Sequence, residues 1–144
     1  MKKSVIAGVF LLVVVSLLAA CGSKTETGGK APTGKTIKTV PVGNLTVTLL
    51  NGTGQLKQGT QEFMVSFTNS SGKPVDVGAV SLNFHMAQMG TMAEMNDATA
   101  FTTTGTPGVY RGQVNIEVAG EWQGQLAYEG PVGSGKTTFT VTAQ

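Results

Sequence analysis

The sequence predicts an all-β domain over residues 36–144, built as an antiparallel β-sandwich of about seven strands. Three observations lead to this prediction. Apolar and polar residues alternate with a period of two from Thr36 onward, without a convincing amphipathic helix. The region is rich in Thr, Gly, Val and Gln and poor in Lys, Glu and Ala, a composition typical of strands. Clusters of Gly, Asn, Ser and Pro interrupt the alternation at the spacing of an immunoglobulin-like sandwich, and a small barrel is the alternative.

The predicted strands lie between these turn clusters. They cover residues 36–42, 45–50, 62–68, 75–85, 109–118, 122–128 and 137–142. Apolar side chains that share one strand face are expected in the core, and two large rings are expected to fill the space between the sheets. These predicted core residues are Phe63, Val65, Phe67, Phe139 and Val141, with the rings of Tyr110 and Trp122.

Residues 1–20 are predicted to be an export signal. A short basic segment precedes an apolar run over residues 5–20 that ends in small side chains. A single membrane-spanning anchor is the competing interpretation, since such a helix needs about 20 apolar residues. The run ends in Leu18-Ala19-Ala20-Cys21, which resembles the lipobox of bacterial lipoproteins. The resemblance implies that Cys21 is lipidated, becomes the first residue of the mature chain and anchors it to a lipid bilayer.

The folded domain is therefore expected in the cell envelope, outside the cytoplasm. It would lie at the outer face of the cytoplasmic membrane, or at an outer membrane if there is one. Residues 21–35 contain no large apolar side chain, which predicts a flexible linker. Without Lys2 and Lys3, eight basic side chains balance eight acidic ones. A neutral chain without a basic cluster argues against nucleic acid as a partner.

Between His85 and Phe101 the alternation fails and methionine becomes frequent. Four of the six methionines lie in the segment HMAQMGTMAEM, residues 85–95, which also holds the single histidine of the chain. A straight helix would turn Met86 and Met95 to opposite sides. We therefore predict a loop that crosses between the sheets, in which Gly90 helps to bring three thioethers and the imidazole around one point.

Such a cluster is a soft ligand set. Thioether sulfur prefers Cu(I) over hard cations, imidazole also binds copper, and a thioether needs no deprotonation. The hypothesis is a Cu(I) site formed by Met86, Met89 and Met92, with His85 and Met95 as further ligands. Copper delivery to a membrane acceptor protein, or copper buffering, would follow. The alternatives are plain packing and a docking surface for a membrane partner, because methionine also fills gaps and makes adaptable contacts.

Three segments together resemble the YtkA-like domain and its FixH-like relatives. They are Met86-Ala87-Gln88-Met89-Gly90-Thr91-Met92, Gly108-Val109-Tyr110-Arg111-Gly112 and Ala119-Gly120-Glu121-Trp122. In the family these positions hold a Met-Pro-x-Met-Gly-x-Met stretch, a Pro-Gly-x-Tyr segment and a Gly-x-Trp segment, so Ala87 replaces the expected proline. The resemblance spans residues 45–141. It implies an immunoglobulin-like sandwich at the outer face of the membrane and, for some relatives, copper handling and cytochrome oxidase assembly.

One motif points to a function that the sequence context does not support. Residues 130–137 satisfy the pattern G-x-x-x-x-G-K-[ST] of a phosphate-binding loop. An alternating strand follows, whereas phosphate binding requires a helix N-terminus at this point. We interpret the run as a hairpin loop between the last two strands. With one histidine and no supported nucleophile, the chain is not expected to be an enzyme or to bind nucleotides.

Overall fold

The computed structural model describes residues 32–144. The predicted signal peptide, Cys21 and most of the linker lie outside the described residues, so their assignments stay predictions. Within the described part the strands are β1 (Lys35–Val42), β2 (Leu45–Asn51), β3 (Gly59–Thr68), β4 (Ala79–Met86), β5 (Met95–Ala98), β6 (Ala100–Thr103), β7 (Val109–Ile116), β8 (Gly120–Gly130) and β9 (Gly133–Ala143). Residues 32–144 contain no helix that could span a membrane.

The strands form two antiparallel sheets, which confirms the predicted sandwich. The first sheet has the order β1-β2-β3-β7-β6, and the second has the order β5-β4-β8-β9. Buried and exposed residues alternate along β7 and β8, so each of these strands contributes one apolar row to the space between the sheets. The core therefore lies between two sheets, as in a sandwich.

Two short strands were not predicted. β5 and β6 have four residues each and form one edge of each sheet. Asn96 and Asp97 are poor strand formers, which explains why the pattern of alternation missed β5. The chain passes from one sheet to the other at Thr99, between these strands. The predicted crossing within the methionine segment is therefore wrong, because this segment turns back and joins β4 to β5 inside one sheet.

The core contains the residues that the alternation predicts. Phe63, Phe67 and Trp122 are almost fully enclosed. Phe63 meets Phe84 of the opposite sheet edge-on, with ring centroids 6.2 Å apart. The indole Nε1 of Trp122 donates a hydrogen bond of 3.0 Å to the carbonyl of Val118. The largest ring of the domain is thus buried without leaving its N–H unpaired.

Tyr110 anchors the segment that precedes β4. Its hydroxyl donates to Asp76 Oδ1 at 3.0 Å and accepts from the backbone N–H of Val77 at 3.2 Å. Burial, and then the hydrogen bond to Asp76, raise the pKa of Tyr110. The anchored segment stays outside the sheet, so β4 begins at Ala79 and not at Val75 as predicted.

Gly108, just before β7, allows a close approach of two backbone segments. Its φ is +76°, and a Cβ at this position would lie 2.5 Å from the carbonyl oxygen of Val75. Both residues also bond to the backbone of Phe67. A side chain at Gly108 would therefore push these two backbone segments apart.

Residues 130–137 belong to the hairpin between β8 and β9, as predicted. Gly130 pairs with Gly133 across the turn, and the pairing continues through Lys136 and Thr137 of β9. Because a strand follows the glycine-rich run, the backbone here offers no helix N-terminus to a phosphate group.

Candidate metal centre

The methionine segment forms a β-hairpin that extends beyond the sheet. β4 pairs with β5 from Asn83 opposite Ala98 to Met86 opposite Met95. At the end of the hairpin Met89 and Met92 exchange two backbone hydrogen bonds, of 3.2 and 2.9 Å. Gly90 starts the turn between them with a φ of +57°, a conformation that two-residue hairpin turns require at this position.

This register sorts the four methionines into two cross-strand pairs. Met86 lies opposite Met95 where the hairpin leaves the sheet, and we call these residues the root pair. Met89 lies opposite Met92 beside the turn, and we call these residues the tip pair. Directly opposite residues of an antiparallel ribbon project to the same side. The spacing M-x-x-M-x-x-M-x-x-M thus places the thioethers two by two along one hairpin.

The two pairs differ in burial. Met86 is 3% exposed and belongs to the core, and Met95 is half-buried and packs against that core. Met89 and Met92 are 56% and 43% exposed. With Val132, they are the exposed large apolar side chains of the described chain. The tip pair is therefore accessible to an ion or a partner from solvent, whereas the root pair is part of the packing.

His85 and Met89 line a common depression next to the hairpin. The depression measures about 480 Å³ and is completed by Met86 of β4, Gln123 of β8 and Thr140 of β9, among others. His85 lies opposite Gln123, and Gln123 lies opposite Thr140, so three strands supply neighbouring side chains. A depression of about 530 Å³ toward the other end of the same sheet is lined by neither histidine nor methionine. Soft ligands therefore meet at the hairpin end of this sheet.

A hydrogen-bonded chain of side chains holds the histidine ring. Nδ1 of His85 lies 3.0 Å from Oδ1 of Asn96, its cross-strand partner on β5. The same Oδ1 accepts a hydrogen bond of 3.1 Å from Nδ2 of Asn83. On its other side Asn96 donates from Nδ2 to Oε1 of Glu94 at 3.3 Å. The imidazole ring is thus held by a hydrogen bond on the side that faces β5.

The structure brings together some of the predicted ligands and separates others. His85, Met86 and Met89 share the depression, and Met92 joins Met89 across the turn. Met95 contacts the core instead. No group of three or more His, Cys, Asp or Glu side chains able to hold a metal occurs among residues 32–144.

Sequence reasoning missed the supporting residues of this region. Asn96 and Gln123 lie opposite His85, and Thr140 lies opposite Gln123, only through the pairing of β4 with β5 and β8 and of β8 with β9. A signal for Asn96 was present, because His85 and Asn96 are placed symmetrically about the Gly90–Thr91 turn in the same way as both methionine pairs. This symmetry can be recognised only once the position of the hairpin turn is known.

Comparison with known proteins identifies one family. A family model described as YtkA-like matches residues 39–127, which include β2 to β7, the methionine hairpin and most of β8. The comparisons with curated proteins and with solved structures give no match.

Proposed function

The chain belongs to the YtkA-like family, and on this basis we propose that it is an exported lipoprotein that binds Cu(I) at the methionine hairpin. Its role would be to deliver copper to a membrane acceptor protein, such as an oxidase under assembly, or to buffer copper. One observation carries the proposal. The histidine and an accessible thioether, Met89, line the same open depression, and a second accessible thioether, Met92, lies directly opposite Met89.

The proposed ligand set consists of His85, Met89 and Met92. Thioether sulfur and neutral imidazole both suit Cu(I). Neither group has to lose a proton before it binds the ion. Met86 contributes to the floor of the depression, close to the ligands. Met95 supports the root of the hairpin through its contacts with the core.

Accessibility favours transfer over storage. The tip pair lies at a hairpin end, where another protein can approach the bound metal closely. Ligands that exchange easily release the ion to an acceptor with a tighter site. Lipidation of Cys21, which we also propose, would hold the domain at a membrane surface while residues 21–35 give it reach.

A docking function is the second candidate. Two of the exposed large apolar side chains of the described chain are the tip pair. Methionine suits adaptable contact surfaces, and an apolar hairpin end could insert into a groove of a membrane partner without any metal.

A competitive Cu(I) titration distinguishes the two functions. In this experiment, the mature chain and a variant with Met86, Met89 and Met92 all changed to leucine are each titrated against a chromophoric Cu(I) chelator under anaerobic conditions. Leucine keeps the apolar volume but removes the sulfur. We expect binding of one Cu(I) by the native protein and a strong loss of binding by the variant.

Two results would contradict the copper proposal. Failure of the native protein to compete with the chelator would remove it, and equal binding by both proteins would remove the thioether ligands. A docking surface should tolerate the leucine variant, because its apolar area is unchanged. Met64→Leu, on β3 outside the hairpin, is the matched control and should bind copper like the native protein.

A further inference from the structure

We infer that Glu94 and Asn96 are positioning residues that place the proton of the His85 imidazole on Nδ1 and leave Nε2 as a free electron-pair donor for a soft metal. The inference rests on the proposed function, because a free Nε2 serves a purpose only if the site binds a metal. Its structural part, the position of one proton, can be tested without any metal.

The neighbouring carboxylate of Glu94 sets the orientation of the Asn96 amide. An amide has one end that only donates and one end that only accepts, and an ionised carboxylate only accepts. Glu94 Oε1 lies 3.3 Å from the nearer end of the Asn96 amide, so this end must be the NH₂ group. The reverse orientation would bring two acceptors together. Glu94 therefore fixes which end of Asn96 faces His85.

The orientation of the Asn96 amide sets the tautomer of the histidine. The end of Asn96 that faces the ring is the oxygen Oδ1, and it lies 3.0 Å from Nδ1 of His85. Asn83 Nδ2 donates to the same oxygen at 3.1 Å, an arrangement that agrees with Oδ1 as the acceptor. Because Oδ1 cannot donate, the hydrogen between the two atoms belongs to Nδ1. In the neutral ring, Nε2 then carries the lone pair.

A proton on Nδ1 leaves Nε2 of His85 free beside the depression. Asn96 holds Nδ1 on the β5 side, whereas the depression is formed with β8 and β9. Nε2 is therefore the ring nitrogen that is available to a metal ion bound next to Met89. A histidine that binds a metal commonly donates its other ring N–H to a fixed acceptor, which orients the ring and strengthens the ligand. Asn96 supplies this acceptor, and Glu94 keeps it correctly oriented.

The tautomer can be read directly by nitrogen NMR. The chain contains one histidine, so the full chain labelled with ¹⁵N-histidine in detergent gives signals from a single imidazole. At about pH 8.5, where imidazole is ordinarily neutral, we expect Nδ1 to have the shift of a protonated nitrogen and Nε2 that of an unprotonated one. The opposite assignment in the native protein would overturn the inference.

Variants test the two positioning residues separately. Asn96→Ala removes the acceptor, so we expect the proton to move largely to Nε2, as in an unrestrained imidazole. Asn96→Asp keeps an acceptor and should retain the proton on Nδ1. Glu94→Gln allows the amide to reverse and should give a mixture of the two tautomers. Gln113→Ala, an amide change on β7 of the other sheet, should leave the native spectrum unchanged.

Copper affinity provides the second measurement. Loss of a residue that orients a metal ligand typically lowers affinity by about tenfold to a hundredfold, and we expect Asn96→Ala to weaken Cu(I) binding within this range. Asn96→Asp should restore most of the loss. Unchanged affinity in Asn96→Ala, with the proton moved to Nε2, would overturn the positioning role. Absence of copper binding in the native protein, with the proton on Nδ1, would contradict the proposed function and leave the tautomer assignment standing.

Discussion

The root pair and the tip pair of the methionine hairpin contain the same side chains in the same register but have opposite surroundings. Met86 is 3% exposed and packs with the core, whereas Met89 is 56% exposed. The root pair belongs to the paired region of β4 and β5, and the tip pair extends beyond it. The difference shows that position along the hairpin, and not residue type, separates a buried methionine from an accessible one.

This contrast divides the hypotheses that the sequence left open. Packing is an adequate account of Met86 and Met95, which contact the core. It does not account for Met89 and Met92, which are 56% and 43% exposed. Metal binding or docking is therefore proposed for the tip pair, with the root pair as its support.

The largest effect on stability is expected from Met86→Ala. Removing most of a buried methionine side chain leaves a cavity and should lower the free energy of unfolding by about 2–4 kcal/mol. Met89→Ala should change it by less than about 0.5 kcal/mol, because the side chain is exposed. Urea unfolding of both variants measures the difference. Equal losses would mean that the two pairs do not differ in packing.

Copper binding should show the reverse order. Changing both tip residues, Met89 and Met92, to leucine should lower Cu(I) affinity by at least about tenfold, equivalent to about 1.4 kcal/mol. The matched variant changes both root residues, Met86 and Met95, to leucine and should retain most of the affinity. Chelator competition measures both. A greater loss in the root variant would move the site into the core and contradict the assignment.

Gly90 lies in the turn that creates the tip pair, so substitutions at this position test how firmly the end of the hairpin is fixed. Gly90 has a φ of +57°, and a Cβ there would meet nothing within 4 Å. Gly90→Ala should therefore cost about 1 kcal/mol of unfolding free energy through backbone strain alone. Gly90→Asn should cost less, since asparagine tolerates this conformation. Thermal unfolding compares the two variants, and equal stability of alanine and glycine would argue against a fixed turn.

The smallest effect on stability is expected from mild oxidation. Peroxide converts accessible methionine to the sulfoxide, so Met89 and Met92 should react before Met86 and Met95. Peptide mass spectrometry follows each site with time. The domain should remain folded while the tip pair is oxidised, because neither side chain is buried in the core. Oxidation of Met86 at the same rate as Met89 would indicate that the hairpin root opens in solution.

Much of the fold was predictable because strand alternation and turn residues are local signals. The predicted core residues are buried, and the glycine-rich run before Thr137 forms the expected hairpin. β5 was missed because its four residues have little strand preference and an edge position lets them remain half-exposed. The start of β4 was misplaced because a long-range hydrogen bond from the hydroxyl of Tyr110 to Asp76 holds the preceding segment outside the sheet.

The candidate site was predicted in composition but not in arrangement. The softness of the ligands can be read from His85 and the methionines, since it depends on residue type alone. Their separation into root and tip pairs depends on where the chain turns, and no periodicity marks Gly90 and Thr91 as that point. The contribution of Asn96 depends on the pairing of β4 with β5, which is a tertiary property.

Copper X-ray absorption of selenomethionine-substituted protein tests the central claim most directly. Selenium labels methionine alone, so a copper–selenium scattering path identifies methionine as a Cu(I) ligand. Our account predicts this path in the native protein and in the root variant, and its loss in the tip variant with Met89 and Met92 changed to leucine. Bound copper without a selenium neighbour, or a selenium path that persists in the tip variant, would contradict the account.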